Sequence, residues 1–115
     1  MKISNNTESQ TAVARLSAIA HEGRLGLLRQ LIQAGPDGLS AGDLAQRAGL
    51  NAPTASAQLL VLRNAELIHS QRLGRQIIYQ ANFEAMTELL GYLMEDCCGG
   101  DQIICAPLAT KLGCA

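Results

Sequence analysis

Apolar positions along this chain recur first at helical spacing, then in alternation, then at helical spacing again. The run TAVARLSAIA, 11–20, has the spacing of a helix with a broad buried face, and the polar residues before it predict a loose arm. RLGLLRQLIQA, 24–34, sets Leu25, Leu28, Leu31 and Ile32 on one helical face, and Gly35-Pro36 stops it. In GLSAGDLAQRAGLN, Ser40 is placed to cap a helix with Asp43 three residues on. Leu44, Ala45 and Ala48 give that helix a small buried stripe, and Gly49 gives it a C-terminal turn. Asn51 then caps a fourth helix that tolerates Pro53 in its first turn and turns Ala55, Leu59 and Leu62 inward. Two short helices joined by AGLN make a helix-turn-helix candidate.

After that pair the period changes. In LIHSQRLGRQIIYQ, Ile68 and Ser70, then Ile77 and Tyr79, alternate as in half-buried strands, and LGRQ supplies a hairpin turn. This predicts a two-stranded β-wing. From Phe83 the helical period returns, with Phe83, Met86, Leu90, Leu93 and Cys97 three and four apart, the spacing of a helix that packs along another. The fold expected is mainly α (α+β): a winged helix-turn-helix of about five helices and a two-stranded wing. No internal repeat, low-complexity tract or interdomain linker interrupts it.

Length and composition add a partner and a compartment. A chain of 115 residues makes one domain with a modest core, which packing against a second copy would stabilise, so a dimer is expected. The division expected is a winged domain over 1–100 and a cysteine-containing tail over 101–115. An apolar fraction of 48% with 17% charged residues is that of a folded globular chain. A net charge of −1 gives no overall attraction to polyanions, so any nucleic-acid surface is local. The opening MKISNNTESQ lacks the apolar stretch of a signal peptide, and no run approaches the roughly 18 apolar residues that span a membrane. A cytoplasmic protein with no membrane association is expected. There, the four cysteines, all in the last fifth of the chain, read as free thiols, metal ligands or redox groups rather than structural disulfides.

From about Leu16 to Gly100 the sequence resembles the ArsR/SmtB family of dimeric, metal- or metalloid-responsive repressors. The matching pieces are LSAIAHEGRLGLLRQL for the opening helices, LSAGDLAQRAGLNAPTASAQLLVLRNAELI for the helix-turn-helix and RLGRQIIY for the wing. The resemblance implies a homodimer through the first and last helices, a recognition helix for the major groove of double-stranded operator DNA, and release of that DNA when an inducer binds. The residues themselves supply Arg63, Arg72 and Arg75 around the wing with only Glu66 as an acidic neighbour, a pattern suited to phosphate contacts that two-fold symmetry would double. Base reading falls to Thr54, Ser56 and Gln58 in the first turns of the fourth helix. Gln58 is able to pair with adenine, and Ala57 and the Thr54 methyl are able to touch thymine methyls. Family members usually carry one or two histidines and a basic residue where this chain has Ala57, Gln58 and Leu60, so the outward side of the helix is unusually apolar.

The candidate inducer chemistry lies in EDCCGG and DQIIC. Adjacent cysteines on an intact helix diverge by about 100°, but Gly99 and Gly100 allow the last turn to unwind and the sulfurs of Cys97 and Cys98 to converge. Cys105 is within easy chain reach of both. Three thiolates suit a soft, thiophilic centre: trivalent arsenic or antimony bound as a pyramid, with copper(I) or zinc as other soft candidates. Cys114 is a further ligand or a replacement for one of the three. Well-known arsenic sensors of the family carry a C-x-C motif in the helix-turn-helix, which this chain lacks, but it resembles arsenite-responsive members with CCGG at the end of the last helix. The competing reading of Cys97 is a small buried hydrophobe that continues the apolar stripe. His21 and His69 have no partners at ligand spacing and read as structural or surface residues. The alternatives are a redox or reactive-sulfur switch on the same repressor and a small thiol enzyme or metal carrier. No C-x-x-C, phosphate loop or acid–base constellation supports an enzyme.

Overall fold

The computed structural model describes residues 6–94 and Lys111. Residues 6–94 form α1 (Asn6–Ile19), α2 (Glu22–Ala34), β1 (Leu39–Ser40), α3 (Ala41–Ala48), α4 (Ala52–Asn64), β2 (Ile68–Leu73), β3 (Gln76–Ala81) and α5 (Phe83–Leu93), with one 3-10 turn at Gly35–Asp37. This is the expected winged helix-turn-helix. Apart from Lys111, the tail assigned to 101–115 lies outside the described residues, as do the four cysteines.

Side chains that satisfy exposed backbone groups set the helix boundaries. Ser40 Oγ accepts from the Asp43 amide at 3.1 Å and Asn51 Oδ1 from the Thr54 amide at 2.9 Å, so α3 and α4 each start on a proper cap. Between them Gly49 sits at φ +68°, the left-handed conformation that ends α3 and turns the chain sharply into α4. Asn82 has two roles: its Oδ1 caps α5 at the Ala85 amide, and its Nδ2 donates to the Glu66 carbonyl at 2.9 Å, pinning the end of the wing to the turn after α4.

The core is a leucine cluster. Leu27, Leu28 and Leu31 of α2 meet Leu44 of α3, Leu59 and Leu62 of α4, and Leu67 and Ile68 at the start of the wing. Ala55, Leu59 and Leu62 are the buried side of α4, as their spacing predicts. The wing pairs antiparallel with Ile68 opposite Ala81, Ser70 opposite Tyr79 and Arg72 opposite Ile77, and Gly74-Arg75 forms the turn.

Four details differ from expectation. Residues 6–10 continue α1 instead of forming an arm, with Glu8 in the first turn, where a carboxylate meets the positive end of the helix dipole. On α2 the buried face is Leu27, Leu28 and Leu31, because α2 packs on α3, α4 and β3 together; Leu25 and Ile32 are exposed. A third strand, β1, pairs with β3 through Leu39 opposite Tyr79 and Ser40 opposite Ile78, giving the sheet order β1-β3-β2. Two residues are too few to show an alternation. On α5 the inward side is Ala85, Met86 and Leu89, while Phe83, Leu90 and Leu93 of the expected stripe are exposed.

Candidate nucleic-acid interface

The helix-turn-helix holds α4 by one side only. Its buried residues fall along one stripe, so Thr54, Ser56, Ala57, Leu60 and Val61 are left exposed on the rest of its circumference. Thr54 and Ser56, two of the three residues expected to read bases, are therefore free to face a groove. Gln58 is different. It is half-buried, and its Oε1 accepts from Arg24 Nη1 at 3.0 Å, which leaves its amide N–H groups and one lone pair of that oxygen for a partner outside. Bidentate pairing with adenine needs that oxygen as well, so in this arrangement Gln58 would share it between Arg24 and a base while also bracing the fold.

Arg24 was not legible as a site residue. It lies at the α1–α2 junction, where Nε donates to the Ala18 carbonyl at 2.6 Å and Nη2 to the Ser17 carbonyl at 3.5 Å, while Nη1 reaches the fourth helix. It thereby ties the end of α1 to the first half of α4. Nothing in the sequence sets it apart from Arg29, the other basic residue of the same helix.

The three arginines expected on the DNA side are all exposed. Arg63 is in the last turn of α4, Arg75 is in the hairpin turn and Arg72 is on β2, where its Nε lies 3.4 Å from the Gly74 carbonyl. Between Asn51 and Gln76 the only carboxylate is Glu66, in the turn after α4 at φ +63°. The segment from α4 to the hairpin turn is thus net positive although the whole chain is slightly acidic.

A second arginine joins the first and last helices to the end of α4. Arg15 of α1 is 8% exposed, and its guanidinium donates to the Ala65 carbonyl at 3.3 Å, the Ala85 carbonyl at 3.5 Å and Glu88 Oε1 at 3.2 Å. One side chain so connects α1, the end of α4 and α5. The groove between α1 and α5, with Ala12 and Leu89 in its floor and Tyr92 at one wall, runs beside it. His21 has a structural role: its Nδ1 accepts from the Gly23 and Arg24 amides at 3.1 and 3.3 Å and caps α2. His69 is exposed on the wing. Cys97, Cys98, Cys105 and Cys114, the residues of the expected thiolate site, lie outside the described residues.

Comparison with known proteins agrees with this arrangement. A family model described as a helix-turn-helix domain matches residues 19–71. The HTH-type transcriptional regulator YgaV of Escherichia coli is 36% identical over 90 residues, which span 78% of this chain and 89% of that protein. The biofilm growth-associated repressor of Xylella fastidiosa is 30% identical over 87 residues, 76% of this chain and 74% of the other. Among solved structures, the homodimeric winged helix-turn-helix DNA-binding domain of a possible ArsR-family regulator from Mycobacterium bovis superposes with a TM-score of 0.63 at 25% identity, over 84% of this chain and 91% of that one. These are regulators rather than enzymes, which sets aside the small thiol enzyme. With a recognition helix held outward, an arginine-bearing wing and relatives of this kind along most of its length, the chain belongs to the ArsR/SmtB family of winged helix-turn-helix transcriptional regulators.

Proposed function

We propose that this protein is a homodimeric repressor that binds operator DNA through α4 and the wing and lets go when trivalent arsenic or antimony binds Cys97, Cys98 and Cys105, with Cys114 as a further ligand. The observation that carries the DNA half is the exposed face of α4, with exposed Arg63 in its last turn, together with exposed Arg72 and Arg75 on the wing. The name of the Xylella relative supports repression, and the homodimeric Mycobacterium domain supports pairing of two copies. Exposed Val13 and Leu16 on α1 and exposed Leu90 and Leu93 on α5 supply apolar surface for that pairing.

The inducer half rests on donor chemistry. Three thiols close in sequence beside two glycines suit a soft centre that prefers sulfur. A thiolate site that follows α5 in the sequence would act on a helix of the dimer contact, and the two recognition helices must meet half-sites about 34–36 Å apart, so a small change in that contact lowers affinity. A coupling of about 1–3 kcal/mol would weaken DNA binding roughly 5- to 150-fold.

The test of the DNA half is fluorescence anisotropy of the reduced full chain on DNA from upstream of its own gene, across a salt series. Arg72→Ala or Arg75→Ala should weaken binding and lower the slope of log K against log salt by about 2, because each substitution removes one phosphate contact from each half-site. An unchanged slope in both variants would remove the wing from the interface.

A further inference from the structure

The outward side of α4 carries an unexplained ridge. Leu60 is 53% exposed and Val61 38%, and at about 100° per residue they share with Ala57 the side of the helix opposite Ala55, Leu59 and Leu62. Single exposed leucines need no explanation. Two adjacent large aliphatic residues in the middle of the one helix face that a helix-turn-helix presents do, because side chains there are expected to meet base edges. Ser56 and Thr54 flank the ridge, and Arg63 lies one turn beyond Leu60.

An apolar strip bordered by the hydroxyls of Thr54 and Ser56 and then by Arg63 matches the cross-section of a B-DNA major groove. Phosphates line the rims, donors and acceptors line the floor, and the thymine C5-methyl is the apolar group the floor offers. We infer that Leu60, with Ala57 and Val61, reads thymine methyl groups, and that Leu60 is the specificity-determining residue of this chain. This rests on the DNA-binding reading above and names the base feature it recognises. The geometry of Gln58 points the same way: with its oxygen held by Arg24, less of the discrimination falls on paired hydrogen bonds to adenine. Arg63 at the border would add little to a contact with an apolar protein surface, whereas the strong negative charge of a duplex complements it and the exposed arginines of the wing.

The experiment starts by selecting duplexes from a randomised pool with the reduced full chain, then replaces each thymine of the selected site in turn by uracil, which removes the methyl and leaves the pairing intact. Anisotropy should show one or two thymines per half-site whose replacement weakens binding about fourfold each, the value of one buried methyl-sized group. Leu60→Ala, at an exposed position where the fold does not depend on the side chain, should weaken binding to the thymine site and make thymine and uracil duplexes bind alike. Arg72→Ala should weaken both in parallel and keep their ratio. Equal binding of every uracil duplex, or a thymine preference that survives Leu60→Ala, would overturn the inference while leaving DNA binding intact. A change of oligomeric mass in Leu60→Ala without loss of the preference would assign the ridge to a protein contact. Failure to select any site would instead overturn the DNA-binding reading itself.

Discussion

Arg15 shows how one residue holds three elements. A guanidinium out of water must replace its hydration, and here two main-chain carbonyls and one carboxylate do so. The partners are unequal. The Glu88 side chain is 60% exposed, so its charge is screened by solvent, whereas the carbonyls of Ala65 and Ala85 are fixed by the ends of α4 and α5. Glu88→Gln is therefore expected to cost less than about 1 kcal/mol. Arg15→Met, which keeps the apolar stem but strands the carbonyls, should cost about 2 kcal/mol. Urea denaturation of the full chain measures both, and equal losses would mean that the ion pair rather than the carbonyl contacts carries the interaction. Neither Arg15 nor Arg24 announced its role in the sequence, because a charged residue among small apolar ones looks the same whether it faces solvent or reaches for carbonyls across the fold.

At the scale of elements, the parts that were legible are those fixed by local chemistry. Ser40, Gly49, Asn51 and Pro53 marked the helix-turn-helix because capping and left-handed turns depend on residues a few positions apart. The exposed sides of α2 and α5 and the short β1 were not legible, since they depend on what packs beside them. Gly38 illustrates the difference. It lies at φ +71°, and a Cβ there would run into the Tyr79 carbonyl oxygen, so close passage of the chain beside β3 requires glycine. Gly38→Ala is expected to destabilise by about 1–3 kcal/mol, as strain at such positions does. Gly42 in α3 has open space around it, and Gly42→Ala should instead stabilise by about 0.5–1 kcal/mol. Thermal unfolding of the two variants should move in opposite directions; a Gly38→Ala protein as stable as the parent would show that β1 does not constrain the start of α3.

For the whole molecule, the outstanding surface is apolar and lies on the first and last helices. Val13 at 62% exposed and Leu90 and Leu93 at 48% each belong to helices that already pack on one another, so a second copy can bury them together. Leu90→Glu should place two carboxylates at that contact and convert a dimer to monomers by sedimentation velocity. DNA affinity should fall by at least tenfold, since one recognition helix then has to bind alone. A Leu90→Glu protein that stayed dimeric would move the interface elsewhere. The cysteines were the most conspicuous chemistry of the sequence, and their chemistry rather than their placement supports the inducer site. The decisive measurement is therefore anisotropy of the reduced protein on its operator at fixed salt, with arsenite, antimonite, zinc and peroxide titrated in parallel into the parent and Cys98→Ser. The expected result is release by arsenite or antimonite alone, lost in Cys98→Ser. Release by peroxide alone, or arsenite release that persists in Cys98→Ser, would contradict a trithiolate metalloid sensor.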